Sequence, residues 1–228
     1  MPLANGDELA TWLASLPREW TAGCGAEIFA RGREAYDAPP RPYHNWRHVE
    51  ACVAELRPFP CDHPRSVFLA LVFHDAVYVA GRTDNESNSA ELARVVLDEC
   101  VSQPEIEAID RMIRATSNHH AHAASADRDL AVMLDIDLSI LGASRDAYAR
   151  YAQAIRDEFV PSATTDTRFR IGRIEFLEGM LASPRLFITD EGSRRWDAPA
   201  RSNIAWEIDG LRREQGLVER AASALRRR

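Results

Sequence analysis

Apolar positions recur at intervals of three and four along most of the 228 residues, and no long stretch alternates with period two. That pattern predicts helices throughout. A short first helix is expected over 7–16, stopped by Pro17, and a second over 26–36. Prolines at 39, 40 and 42 break the next segment, because proline disfavours helix in the residue before it. Helix resumes near Tyr43 and runs through Leu56, and Pro58, Pro60 and Pro64 punctuate the connection that follows. The run VFLALVFHDAVYVA at 67–80 is apolar almost all round and fits a buried helix or a central strand. Its length favours helix, with Gly81 as the stop. Beyond the loop 82–85, a helix to about position 100 is expected to turn Leu92, Val95 and Val96 inward.

Ser102 and Glu105 fit a capping box, with Pro104 in the first turn. Ile106, Ile109 and Ile113 then fall three and four apart. A polar, histidine-bearing loop over 116–125 precedes a helix over 127–141, stopped by Gly142. Ser144 opens the next, with Tyr148, Tyr151, Ile155 and Phe159 inward and Pro161 closing it. Further helices are expected over 168–181 and 200–227, with Gly216 a candidate break in the latter. With no repeat, low-complexity tract or linker, the expectation is one all-α domain over 1–228, a compact helical bundle.

Composition narrows the function. Hydrophobic residues make up 46% and charged residues 28%, enough apolar material for one sizeable core. The formal net charge of -7 argues against nucleic acid as a partner. The basic tail Arg226, Arg227, Arg228 reads as a solvated helix end or a phosphate contact. No apolar run reaches the roughly 18 residues of a membrane span, and the N-terminus lacks the basic-then-apolar signature of a secretory signal. Cys24, Cys52, Cys61 and Cys100 are widely spaced without a C-x-x-C, so a reduced, cytoplasmic protein is expected.

Six of the seven histidines lie in three short segments: His44 and His48, His74, and His119, His120 and His122. Histidine combined with carboxylate suits Zn, Fe, Mn, Co or Ni better than an all-oxygen site would. His44 and His48 are four apart, so one helical face can present both. His74 and Asp75 interrupt an apolar run, and a buried carboxylate costs several kcal/mol unless paired, hydrogen-bonded or metal-bound. The two can also satisfy each other without a metal. Asp137 falls within the apolar stripe of Leu130, Met133, Leu134, Leu138 and Leu141, whereas Asp135 points about 200° away, towards solvent. A buried arginine is the competing partner for Asp137. One divalent cation would satisfy His48, His74, Asp75 and Asp137 together.

Around this set, Asp84, Asn85 and Glu86 cap a helix, or Asp84 and Glu86 exchange protons with a substrate. His119, His120 and His122 are ordinary loop residues or ligands of a second metal or a phosphate oxygen. Arg168, Arg173, Arg185 and Arg201 are candidate anion clamps, and Trp46 and Tyr78 are core aromatics or pocket walls.

These residues resemble the HD superfamily of metal-dependent phosphohydrolases, whose ligand set runs His…His-Asp…Asp. The chain is most similar to an uncharacterised bacterial group described as predicted metal-dependent HD superfamily phosphohydrolases. The likeness rests on YHNWRHV at 43–49, FHDAVY at 73–78, DNESNSA at 84–90, TSNH at 116–119, LDIDLSILG at 134–142 and SNIAWEI at 202–208, covering about 30–210. The resemblance implies a helical HD-like core, with His48, His74, Asp75 and Asp137 as ligands of a divalent ion (Mn, Mg, Zn, Fe, Co or Ni). It also implies hydrolysis of a phosphate ester or anhydride in a small, nucleotide-like molecule. Nucleotidases of the superfamily carry a glutamate three residues after the HD pair, where this chain has Tyr78. Glu86, Asp84 and His44 are therefore the candidate catalytic groups, and His119, His120 and Arg173 the candidates for substrate or a second metal. An oxygenase-like metal enzyme and a non-catalytic nucleotide sensor are the alternatives.

Overall fold

Helices form where the three-and-four pattern predicts them, and among the described residues no strand interrupts them. The computed structural model describes residues 6–37, 41–122 and 126–225. The chain divides into two compact units, Met1–Asp137 and Leu138–Arg228, at a boundary that carries no linker-like composition.

The first unit contains α1 (Gly6–Ala14), α2 (Arg18–Thr21), α3 (Ala26–Asp37), α4 (Trp46–Leu56), α5 (Pro64–Phe73), α6 (Asn85–Leu97), α7 (Gln103–Ala115) and α8 (Arg128–Asp137). The short α2 escapes a reading by periodicity, since four residues are too few to show one. Every residue from Ser66 to Phe73 is buried, and α5 packs against α2, α3, α4, α6, α7 and α8. An element surrounded on all sides has no solvent face to mark with polar residues. Trp20, Phe29 and Trp12 close on Phe68 of α5, with ring centroids 5.5, 5.8 and 6.2 Å away.

Several expectations are corrected. Helix α5 ends at Phe73, not near position 80. The Tyr36 hydroxyl donates to Val72 O (3.0 Å) and accepts from Asp75 N (3.3 Å). Arg41 takes the carbonyls of Asp75 and Ala76 (2.6 and 3.0 Å). Backbone groups that would continue the helix are thus bonded from outside it. Helix α4 starts at Trp46, capped by Asn45, so His44 precedes the helix. Val95 is 64% exposed, not inward. Ser102 caps α7 without a side-chain bond, and the Glu105 carboxylate, the other half of the expected capping box, is taken by Arg65 and Ser66. Cys24 and Cys100 form a disulfide, contrary to the expectation of four reduced cysteines, while Cys52 and Cys61 are free.

The second unit comprises a 3-10 turn (Leu138–Gly142), α9 (Arg145–Phe159), α10 (Asp166–Ala182), α11 (Asp190–Gly192), a wide π turn (Ser193–Asp197) and α12 (Ala198–Leu225). Gly142 is required here: a Cβ on it would lie 2.5 Å from Trp196 Cβ. Asn203 donates to the carbonyls of Leu141 and Ala143, tying α12 to the turn. Gly216 does not break α12. Among the described residues no helix is long and apolar enough to cross a membrane.

Candidate metal centre

Four side chains from three elements converge in the first unit. His48 comes from the first turn of α4, His74 caps the end of α5, Asp75 follows it, and Asp137 is the last residue of α8. His48 Nε2 lies 3.1 Å from both His74 Nε2 and Asp137 Oδ1. His74 Nε2 lies 3.1 Å from Asp75 Oδ2 and 3.3 Å from Asp137 Oδ1. His48 Nε2 to Asp75 Oδ2 is 3.7 Å. Donor atoms about 2.0–2.2 Å from one ion stand about 3 Å apart at right angles and about 3.4 Å apart at tetrahedral angles. The cluster therefore has nearly the spacing of a coordination shell, and its buried groups can hold a metal ion.

The outer atoms of the cluster are fixed as well. His74 Nδ1–H donates to Leu71 O (2.9 Å), which leaves the lone pair of the neutral ring on Nε2, facing inward. His48 Nδ1 lies 3.1 Å from the Tyr43 hydroxyl, so Tyr43 can anchor that ring the same way. His119 Nε2 approaches the other oxygen of Asp137, Oδ2, at 3.0 Å. Partners behind the inward atoms are what hold metal-binding rings and carboxylates in orientation. Cys52, one turn after His48 on α4, places its sulfur 3.7–3.8 Å from the His48 ring nitrogens and belongs to a second potential donor group with His48 and Asp137.

The charges are strongly coupled. Burial alone would raise Asp75, but the charges of His74 and His44 and the His74 hydrogen bond hold it well below the usual carboxylate range. Burial likewise opposes the charge on Asp137, and His74 with the bonds from His119 and His48 overcomes it. His74 loses from desolvation, yet Asp75 and Asp137 raise it well above the ordinary imidazole value. The two carboxylates thus favour positive charge beside them.

Among the other candidates, His44 comes to the rim of the cluster, stacked on Tyr78 at 3.9 Å and 6.2 Å from the His48 ring. Asp84 does not join it: it is half exposed and bound to Arg82. Glu86, half-buried in the first turn of α6, makes no hydrogen bond or ion pair with the cluster among the described residues. The working members of that motif are Asn85 and Ser89. Asn85 bonds both N and O of Val79, and Ser89 bonds both N and O of Val77, clamping the loop after Asp75. Arg173 is buried in the second unit against Glu207 (2.9 Å) and near Tyr151 OH (3.3 Å), an internal ion pair and not an open clamp. The side chain of His120 lies outside the described residues. Asp137 has histidine partners in place of the arginine considered from sequence, and Asp135 is buried where solvent exposure was expected. Trp46 is a core residue against Trp12 and Tyr36.

Sequence reading missed Tyr36, Arg41, Tyr43, Cys52 and Ser89. The signal for Tyr43 and Arg41 was present, in the polar and aromatic density of RPYHNWRHV, but which group bonds which is a tertiary fact. No protein-family model matches this chain, and no curated protein matches it.

Proposed function

We propose that the chain is a metal-dependent phosphohydrolase of the HD kind, acting on a phosphate ester or anhydride in a small, nucleotide-like molecule. The observation that carries the reading is the convergence of His48, His74, Asp75 and Asp137 at coordination spacing. A divalent ion at such a site supplies Lewis acidity to a phosphoryl oxygen and a nucleophilic water at neutral pH.

The protein's own part is positional. His48 and His74 present Nε2 while Tyr43 and Leu71 O hold their Nδ1 atoms. Asp137 offers Oδ1 while His119 holds Oδ2. In the position where related nucleotidases carry glutamate, Tyr78 instead supports the His44 ring, so His44 takes the role of proton donor to the leaving group. His119 favours a second reading, a metal enzyme of another class such as an HD-type oxygenase, because an added imidazole beside Asp137 suits a redox metal.

Melting curves of wild type and Asp137→Asn with and without Mn²⁺, beside a phosphate-release screen over nucleotides, test the proposal. Wild type should gain stability from Mn²⁺ by linkage and release phosphate, and Asp137→Asn should do much less of both. Equal metal shifts in the two proteins would remove Asp137 from the ligand set. A metal shift confined to wild type without any phosphate release would turn the reading towards the second class.

A further inference from the structure

The Cys24–Cys100 disulfide is a reactive group of the first unit that the metal centre does not use. Its cysteines stand 76 positions apart, one in the turn before α3 and one in the turn between α6 and α7, with Cα atoms at 5.1 Å. Both are half-buried. Their surroundings are unequal. Arg65, in the first turn of α5, brings one guanidinium nitrogen to 3.5 Å from Cys24 Sγ and 3.2 Å from Cys100 O. Its other terminal nitrogen binds Glu105 at 2.8 Å, and Ser66 also donates to Glu105. A cation thus touches one sulfur of the pair, and a carboxylate competes for that cation.

We propose that Cys24–Cys100 is a reversible redox site opened by a low-molecular-weight thiol of the glutathione class, with Cys24 as the leaving thiolate stabilised by Arg65. An external thiolate attacks the Cys100 sulfur, the protein S–S bond breaks, and its electron pair leaves on Cys24. Cys100 is then joined to the reductant in a mixed disulfide. A second external thiolate attacks the reductant's sulfur, and Cys100 departs with the electron pair and takes up a proton. Two external thiols have become one disulfide, and the protein has gained two electrons. Of the two protons the external thiols gave up, one is on Cys100 and one is in solvent. Stabilising the thiolate favours the reduced form and makes Cys24 the better leaving group.

Equilibration of the full-length protein in glutathione buffers of stepped ratio, with thiol labelling read by mass spectrometry, tests this. Arg65→Gln should make reduction less favourable by about fivefold or more and slow it, since thiolate stability sets both. Glu105→Gln should shift the equilibrium in the opposite direction, because it frees Arg65 to act on the sulfur. Both variants break the same ion pair, so simple loosening of the structure would move them the same way. Shifts of the same sign, changes under about twofold in both, or two free thiols at 24 and 100 after treatment with glutathione disulfide would each overturn the proposal. Should Arg65→Gln fail to fold, the direction of the Glu105→Gln shift decides.

Discussion

Asp137 illustrates how one carboxylate is committed on both oxygens, Oδ1 to the paired histidines and Oδ2 to His119. In the metal-free protein this makes Asn at 137 costly, since three imidazoles lose a charged acceptor. The pH dependence follows from the shifts. Asp75 and Asp137 are depressed, so their contribution is complete above the ordinary carboxylate value of 3.8 and is lost as pH falls through their folded values. His74 is raised, so its contribution is complete below the ordinary value of 6.5 and is lost as pH rises through its folded value. Urea melts of metal-free wild type and Asp137→Asn should therefore differ most between about pH 4 and 6.5. A difference that stays flat from pH 3 to 9 would show that the His–Asp coupling is not stabilising. Tyr43→Phe keeps the ring but removes the oxygen facing His48 Nδ1. It should weaken Mn²⁺ or Co²⁺ binding by about tenfold, the usual scale for such outer partners, with little change in helical content. Calorimetric titration measures it, and an unchanged affinity would mean that Tyr43 does not orient His48.

At the scale of elements, the loop after α5 is held from both sides. Gly81 turns it with φ +83°, while Asn85 and Ser89, one turn apart on α6, occupy the backbone groups of Val79 and Val77. The motif first read as a cap therefore works chiefly as a clamp. Asn85→Ala removes the partner of the Val79 N–H, while the Val79 C=O keeps the Arg82 N–H (3.1 Å), a cost of about 1 kcal/mol. The expected signature is a lower denaturation midpoint with faster amide exchange at Val79. Normal exchange there would mean that the loop is held by something else. Helix α5 shows the limit of reading elements from pattern. Its apolar run continues past Phe73, but Tyr36 and Arg41 bring outside partners to the backbone where the helix stops.

Over the molecule, the disulfide closes a loop with a sequence separation of 76 within the first unit, encompassing α3 to α6. Cross-links of that length restrict the unfolded chain and typically contribute about 2–4 kcal/mol. Oxidised wild type should therefore melt well above a Cys24→Ser/Cys100→Ser variant. Full reduction of wild type should remove most of that difference, and equal melting of the oxidised wild type and the variant would deny the bond a stabilising role.

The all-helical class, the buried run of α5 and the residues His48, His74, Asp75 and Asp137 were all legible in the sequence. Periodicity records which side of a local element is buried, and a charged group inside an apolar run stands out against it. What tertiary structure alone decided is who meets whom. It set the end of α5, the histidine partners of Asp137 and the exclusion of Asp84 from the cluster. It also sealed Arg173 against Glu207, joined Cys24 to Cys100 across 76 positions and gave Tyr43 its place behind His48. Most of these depend on distances between elements that local spacing does not encode, because a hydrogen bond, an ion pair or a disulfide is set by a few ångströms of approach and not by the periodicity of either partner's own helix.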